Sequence, residues 1–159
     1  MFKLLMVSLI LAGSMMGQTA PKPTAAPPSS PDYSGMYTFL EEGEFVQLTI
    51  EDHGVVTGFV SSYGAPNGDH KTFVDRFFKE GKLGSTKLTF KTEVVQSTSY
   101  EFDGTIERGD GKSPQDEGYY VLKGTLIQHK VDANKQATSE SQAVSFKSFP
   151  RDADEDEAK

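Results

Sequence analysis

The chain has 159 residues, a formal net charge of −7, and neither cysteine nor tryptophan. Without cysteine it can form no disulfide, offers no thiol nucleophile and carries no lipobox-type lipid anchor. An acidic balance with no basic cluster argues against nucleic acid or an anionic membrane surface as a partner.

In chain order, Lys3, the apolar run Leu4 to Ala12 and the small residues Gly13, Ser14, Gly17 and Ala20 have the layout of a secretory signal peptide. Residues 1–20 are assigned to it, with cleavage expected near Ala20. The run is shorter than the ~20 apolar residues a spanning helix needs. No later stretch is apolar enough either, so no stable membrane insertion is expected. The expected address is secreted or periplasmic. An exported chain without disulfides fits a bacterial compartment best. Residues 21–32 follow as a linker, with five prolines in the eleven residues from Pro21 to Pro31, a composition that suits neither helix nor sheet. At the other end, residues 150–159 read as an acidic disordered tail. Between them, 33–149 form one domain, large enough for a core.

Within that domain the pattern is of strands. Ser34 to Leu40 opens the series, followed by the turn Glu41-Glu42-Gly43 and a strand from Glu44 to Glu51 with Val46, Leu48 and Ile50 on one face. Asp52-His53-Gly54 signals a turn before the strand Val55 to Tyr63, and Gly64 to Asp69 reads as a loop. Phe73, Val74, Phe77 and Phe78 have helical spacing. A strand from about Arg76 to Leu83, with at most a helical turn before it, is preferred. Lys87 to Val95 follows with Leu88, Phe90, Thr92 and Val94 inward, then a tight turn near Gln96-Ser97.

Two near-repeats come next. Tyr100-Glu101-Phe102-Asp103-Gly104-Thr105-Ile106 and Tyr120-Val121-Leu122-Lys123-Gly124-Thr125-Leu126 share Tyr, then Phe or Leu, then Gly-Thr, then Ile or Leu. Each alternates with period two and carries a glycine on the buried face, where a bend or a close backbone approach is expected. Polar loops are predicted at Gly109 to Gly118 and Asp132 to Gln142, before a last strand Ala143 to Phe149 with Val144 and Phe146 inward. Eight short antiparallel strands without crossover helices make an all-β fold, an eight-stranded antiparallel up-and-down barrel closed to remove its edges. A two-sheet sandwich is the alternative.

Ser34-Gly35-Met36-Tyr37 opens the first strand with Gly followed by an aromatic, and Gly54-Val55-Val56-Thr57-Gly58, with Ser61 and Ser62, resembles the Gly-x-Leu-Thr-Gly hairpin of avidins. The chain in this respect resembles the avidin-like and lipocalin-like meander barrels, a likeness that covers most of the domain in strand count and order. The resemblance implies a non-enzymatic binding barrel. Avidin-type biotin sites are walled by tryptophans, and this chain has none, so biotin recognition is not carried over; Tyr37 is the nearest equivalent of the tryptophan at the floor of lipocalins.

Candidate chemistry is sparse. His53, His70 and His129 are not spaced as metal ligands, no Gly-x-Ser-x-Gly elbow is present, and Asp110 to Glu117 lacks the ligand order of a calcium hand. No catalytic residue, metal or cofactor is assigned. The best candidate is the barrel interior, where Tyr37, Ser61, Ser62, Tyr63, Tyr100 and Tyr120 are the proposed ligand-binding residues, with Tyr33 beside them. Tyrosine offers an apolar face and one hydroxyl, which suits the wall of a pocket for a small, partly apolar molecule. The competing reading is that these rings fill the core and that the working partner is a protein, as for an inhibitor presenting its loops.

Overall fold

The computed structural model describes residues 32–64 and 72–152. The signal segment, most of the linker, the 65–71 part of the first long loop (His70 included) and the tail beyond Asp152 lie outside the described residues. Eight strands form one sheet in sequence order: β1 (Gly35–Thr38), β2 (Phe45–Ile50), β3 (Val56–Tyr63), β4 (Phe73–Gly84), β5 (Lys87–Thr92), β6 (Thr98–Arg108), β7 (Tyr120–Val131) and β8 (Ala137–Lys147). Every neighbouring pair is antiparallel. The sheet curls until its ends meet. Tyr37 bridges Ser148, and the Phe149 N–H donates to the Met36 carbonyl at 2.8 Å. Arg151 reinforces the seam by donating to the carbonyls of Asp32 and Ser34 while its own N–H donates to Pro114 O. These contacts continue through Arg151, two residues past Phe149.

The two near-repeats are neighbours. β6 and β7 pair so that Gly104 faces Gly124, Phe102 faces Leu126 and Ile106 faces Leu122. A Cβ on Gly104 would lie 2.3 Å from the Lys123 carbonyl oxygen and 2.6 Å from the Phe102 ring, so only glycine lets the strands meet while that ring folds over them. From there a chain of rings crosses the interior. Phe102 stacks on Phe90 at 5.3 Å and Phe90 on Phe78 at 4.4 Å, while Phe146 joins Phe102 to Phe39. Val46, Leu48, Leu88, Leu122 and Leu126 complete a core from which solvent is excluded. Each such side chain contributes roughly 1.5–3 kcal/mol by leaving water.

Three sequence expectations change. The stretch with helical spacing is strand from Phe73 onward. Residues four apart share a face in a strand as they do in a helix, so the spacing did not discriminate. A bulge between Phe78 and Glu80 then resets the parity: Val74, Arg76 and Phe78 turn inward before it, Gly81 and Leu83 after it. Val94, predicted inward, is 67% exposed because β5 ends at Thr92. The chain there leaves the sheet for the Gln96-Ser97 turn, both residues at positive φ (49° and 59°). Finally, the Asp132 to Gln142 loop is only a short turn, in which Asp132 Oδ1 accepts the N–H groups of Asn134 and Gln136. Residues 137–142 are strand. They are exposed on both faces, so they carry no hydrophobic alternation to read.

Candidate functional site

Strand parity sorts the predicted site residues into three places. Tyr37 and Tyr120 are at one end of the interior. The Tyr37 hydroxyl donates to the Tyr33 carbonyl at 2.7 Å, and the Tyr33 ring meets Tyr120 edge-on at 4.9 Å. Burial pushes the Tyr37 phenol well above the usual tyrosine range, and burial followed by the neighbouring Tyr119 and Tyr33 raises Tyr120. These rings close that end of the core.

Ser61 and Tyr63 share the parity of Phe59, opposite to Val60 and Ser62, and so belong to the outer face, where Ser61 is nonetheless buried. Tyr63 stacks on Phe73 at 4.6 Å. Its N–H donates to Glu44 Oε1 at 2.7 Å, while Glu44 Oε2 accepts the Glu41 N–H, so the buried Glu44 carboxylate holds the β1–β2 turn against β3. Their assignment to an interior pocket is therefore not what the strand parity gives. The serine pair in the sequence straddles the sheet.

Ser62 and Tyr100 remain, and they meet. Both are buried at the opposite interior end from Tyr37. Their hydroxyls are 3.4 Å apart, and Gln128 Nε2 donates to the Tyr100 hydroxyl at 3.0 Å. The residue that organises this end is one the sequence reading passed over. Arg76, 2% exposed, donates from Nη1 to Ser62 Oγ at 2.8 Å and to Val74 O at 3.2 Å, and from Nε to Thr98 O at 3.3 Å. Its guanidinium carbon stands 5.7 Å from the Tyr100 ring centroid. The only sequence signal was parity, since Arg76 falls between Val74 and Phe78 on the apolar face of β4. A charge in an inward slot is the exception worth following. On its other side Tyr100 packs edge-on against Phe39 at 5.1 Å, which makes it the boundary between the polar cluster and the aromatic core.

Outside the barrel, two features invite comparison. Phe45, Phe59 and Phe77 form a row across β2, β3 and β4 with centroids 5.8 and 5.4 Å apart, and Phe77 is 56% exposed. On the β6–β8 face, His129 Nδ1 lies 2.8 Å from Ser139 Oγ and its Nε2 3.4 Å from Glu101 Oε1. The trio has the connectivity of a hydrolytic triad, but Ser139 is exposed on a strand whose outward neighbours are Ser and Ala. It is a cross-strand polar contact alongside the Lys91–Glu101 pair at 3.2 Å. In the 109–118 loop, Asp116 Oδ2 accepts the N–H groups of Lys112 and Ser113, which holds its carboxyl below the usual range. Among the described residues no three His, Asp or Glu side chains are grouped to hold a metal ion, and no helix is long and apolar enough to cross a membrane.

No protein-family model matches the chain, and no curated protein matches it in sequence. Solved structures do match in shape. Rhizavidin superposes with a TM-score of 0.55 at 10% identity, covering 75% of this chain and 84% of its own. A rhizavidin–biotin complex gives 0.53 at 11% identity, covering 73% of this chain and 99% of that one. The fold is an avidin-like eight-stranded β-barrel.

Proposed function

From an avidin-like barrel, we propose that this chain is a non-enzymatic binding protein that takes a small, partly apolar molecule at the end of the interior marked by Ser62, Arg76, Tyr100 and Gln128. One observation carries the reading. The interior is closed by packed rings along most of its length, and at this end a guanidinium, an amide and two hydroxyls converge on one another. Binding sites join an apolar wall to a few convergent polar groups, and Tyr100 against Phe39 supplies that junction here. The biotin complex of a protein with the same fold supports small-molecule binding as a use of this architecture. At 10–11% identity and without tryptophan, biotin itself is not proposed as the ligand. The layout of residues 1–20 supports export as the setting, which N-terminal sequencing of the mature protein would check by a start near Pro21.

A second reading, a protein-contact module with a filled interior, draws on the row Phe45–Phe59–Phe77, half-buried at Phe45 and Phe59 and exposed at Phe77. Native mass spectrometry of protein purified gently from its own host separates the two. A discrete extra mass that leaves on denaturation is the expected result. A bare chain, or a bare oligomer, would move the function to the outer face.

A further inference from the structure

Resting on that interior reading, we propose that the ligand is a carboxylate-bearing molecule and that Arg76 receives the carboxylate.

Arg76 carries a fixed positive charge inside a barrel, and among the described residues no carboxylate stands within ion-pair distance of it. Glu44, a buried carboxylate, is committed to the N–H groups of Glu41 and Tyr63. All three hydrogen bonds that Arg76 makes go to neutral oxygens, and they use only Nε and Nη1. A buried charge without a partner is costly, and a well-packed apolar side chain of similar volume would avoid that cost. Counted over the described residues, the site therefore stands one negative charge short of balance.

The hydroxyls say the same. Gln128 donates to the Tyr100 hydroxyl, and Arg76 donates to Ser62 Oγ. Between the two hydroxyls, only one can donate to the other. If Tyr100 donates, the Ser62 proton has no acceptor among the described residues; if Ser62 donates, the Tyr100 proton has none. In either arrangement the cluster holds a surplus O–H besides the Nη2 hydrogens of Arg76, and among the described residues it lacks an acceptor. A carboxylate supplies acceptors for both and one compensating charge. A phosphate dianion would overshoot the single guanidinium, since no lysine among the described residues joins the cluster. An amine or an alcohol would leave the charge unmet. The Tyr100–Phe39 contact places an apolar wall next to the anion position, so the carboxylate belongs to an organic molecule rather than to a free inorganic ion.

The test uses full-length chain, unfolded in guanidinium and refolded to release anything bound. Octanoate, octanol, octylamine and octyl phosphate are compared by calorimetry on wild type and on Arg76→Met. Octanoate is expected to bind about ten- to a hundredfold more tightly than octanol, and Arg76→Met to erase that difference while keeping the wild-type circular dichroism spectrum. Equal binding of octanoate and octanol, tighter binding of octyl phosphate, or an octanoate preference that survives in Arg76→Met would each overturn the carboxylate assignment while leaving an interior site in place. No binding of any probe to wild type would overturn the interior reading itself, and this proposal with it. Should Arg76→Met fail to fold, the side-chain Nε–H resonance of Arg76, one of three arginines, gives the answer on wild type. Octanoate is expected to shift it and octanol to leave it in place; the reverse, or no shift with either, refutes the proposal.

Discussion

At the level of single residues, what a polar side chain does here depends on which end of the barrel it reaches. Tyr37 is the structural case. Its hydroxyl is satisfied by the Tyr33 carbonyl, and burial raises its ionisation above that of a free tyrosine. Because the folded form resists ionising, its contribution to stability is complete below the unfolded tyrosine value of about 10. As pH rises past that point the unfolded chain loses the proton more readily, and the contribution drains away until the folded group also ionises. Tyr37→Phe is expected to cost about 0.5–1.5 kcal/mol near neutral pH for the lost hydrogen bond. It should also flatten the loss of stability between pH 10 and 11, read from urea midpoints. Arg76 is the contrasting case, a charge whose partners are all neutral.

Among the elements, the strands are specified unevenly. β2, β5, β6 and the first half of β7 carry clear alternation, because one face is core and the other is water. β4 does not, since the bulge after Phe78 shifts its inward residues by one place. The outer half of β8 has no alternation because no core lies behind it. The weakest pairing is the closing seam, where β1 meets β8 through one bridge and a few flanking bonds. Arg151 compensates by tying the chain after β8 to Asp32 and Ser34. Arg151→Ala is expected to destabilise by about 1.5–3 kcal/mol, the range for hydrogen bonds to a charged group. Hydrogen exchange should then quicken first at the Phe149 amide, which bonds to Met36 across that seam. Uniform exchange loss across all strands would argue against a local seam.

For the molecule as a whole, the rings Phe78, Phe90, Phe102, Phe146 and Phe39 connect β4, β5, β6 and β8 with the segment after β1, so the barrel's core is one packing unit. Phe102→Ala is expected to cost about 3–5 kcal/mol, with the transition midpoint moved and the near-ultraviolet tyrosine signal weakened. A loss under about 1 kcal/mol would mean that the neighbouring rings collapse into the gap. The same packing confines any interior ligand to the Arg76 end, because the Tyr37 end is shut by Tyr33, Tyr120 and the seam.

The all-β class, the eight strands, their meander order and the pairing of the two repeats were legible in the residues, because period-two burial and turn chemistry are local properties of a chain. The candidate site was legible only in part. Ser62 and Tyr100 could be named as inward and polar, but nothing local places them 38 residues apart in sequence and 3.4 Å apart in space. Ser61 and Tyr63 were assigned with them although a strand sends adjacent residues to opposite faces. Arg76 went unremarked because a lone arginine in a strand usually points to water, and whether it does depends on closure. Only the closed barrel, with Arg76 opposite the inward Val60 of β3, turned that charge inward and left it facing neutral oxygens rather than a carboxylate among the described residues.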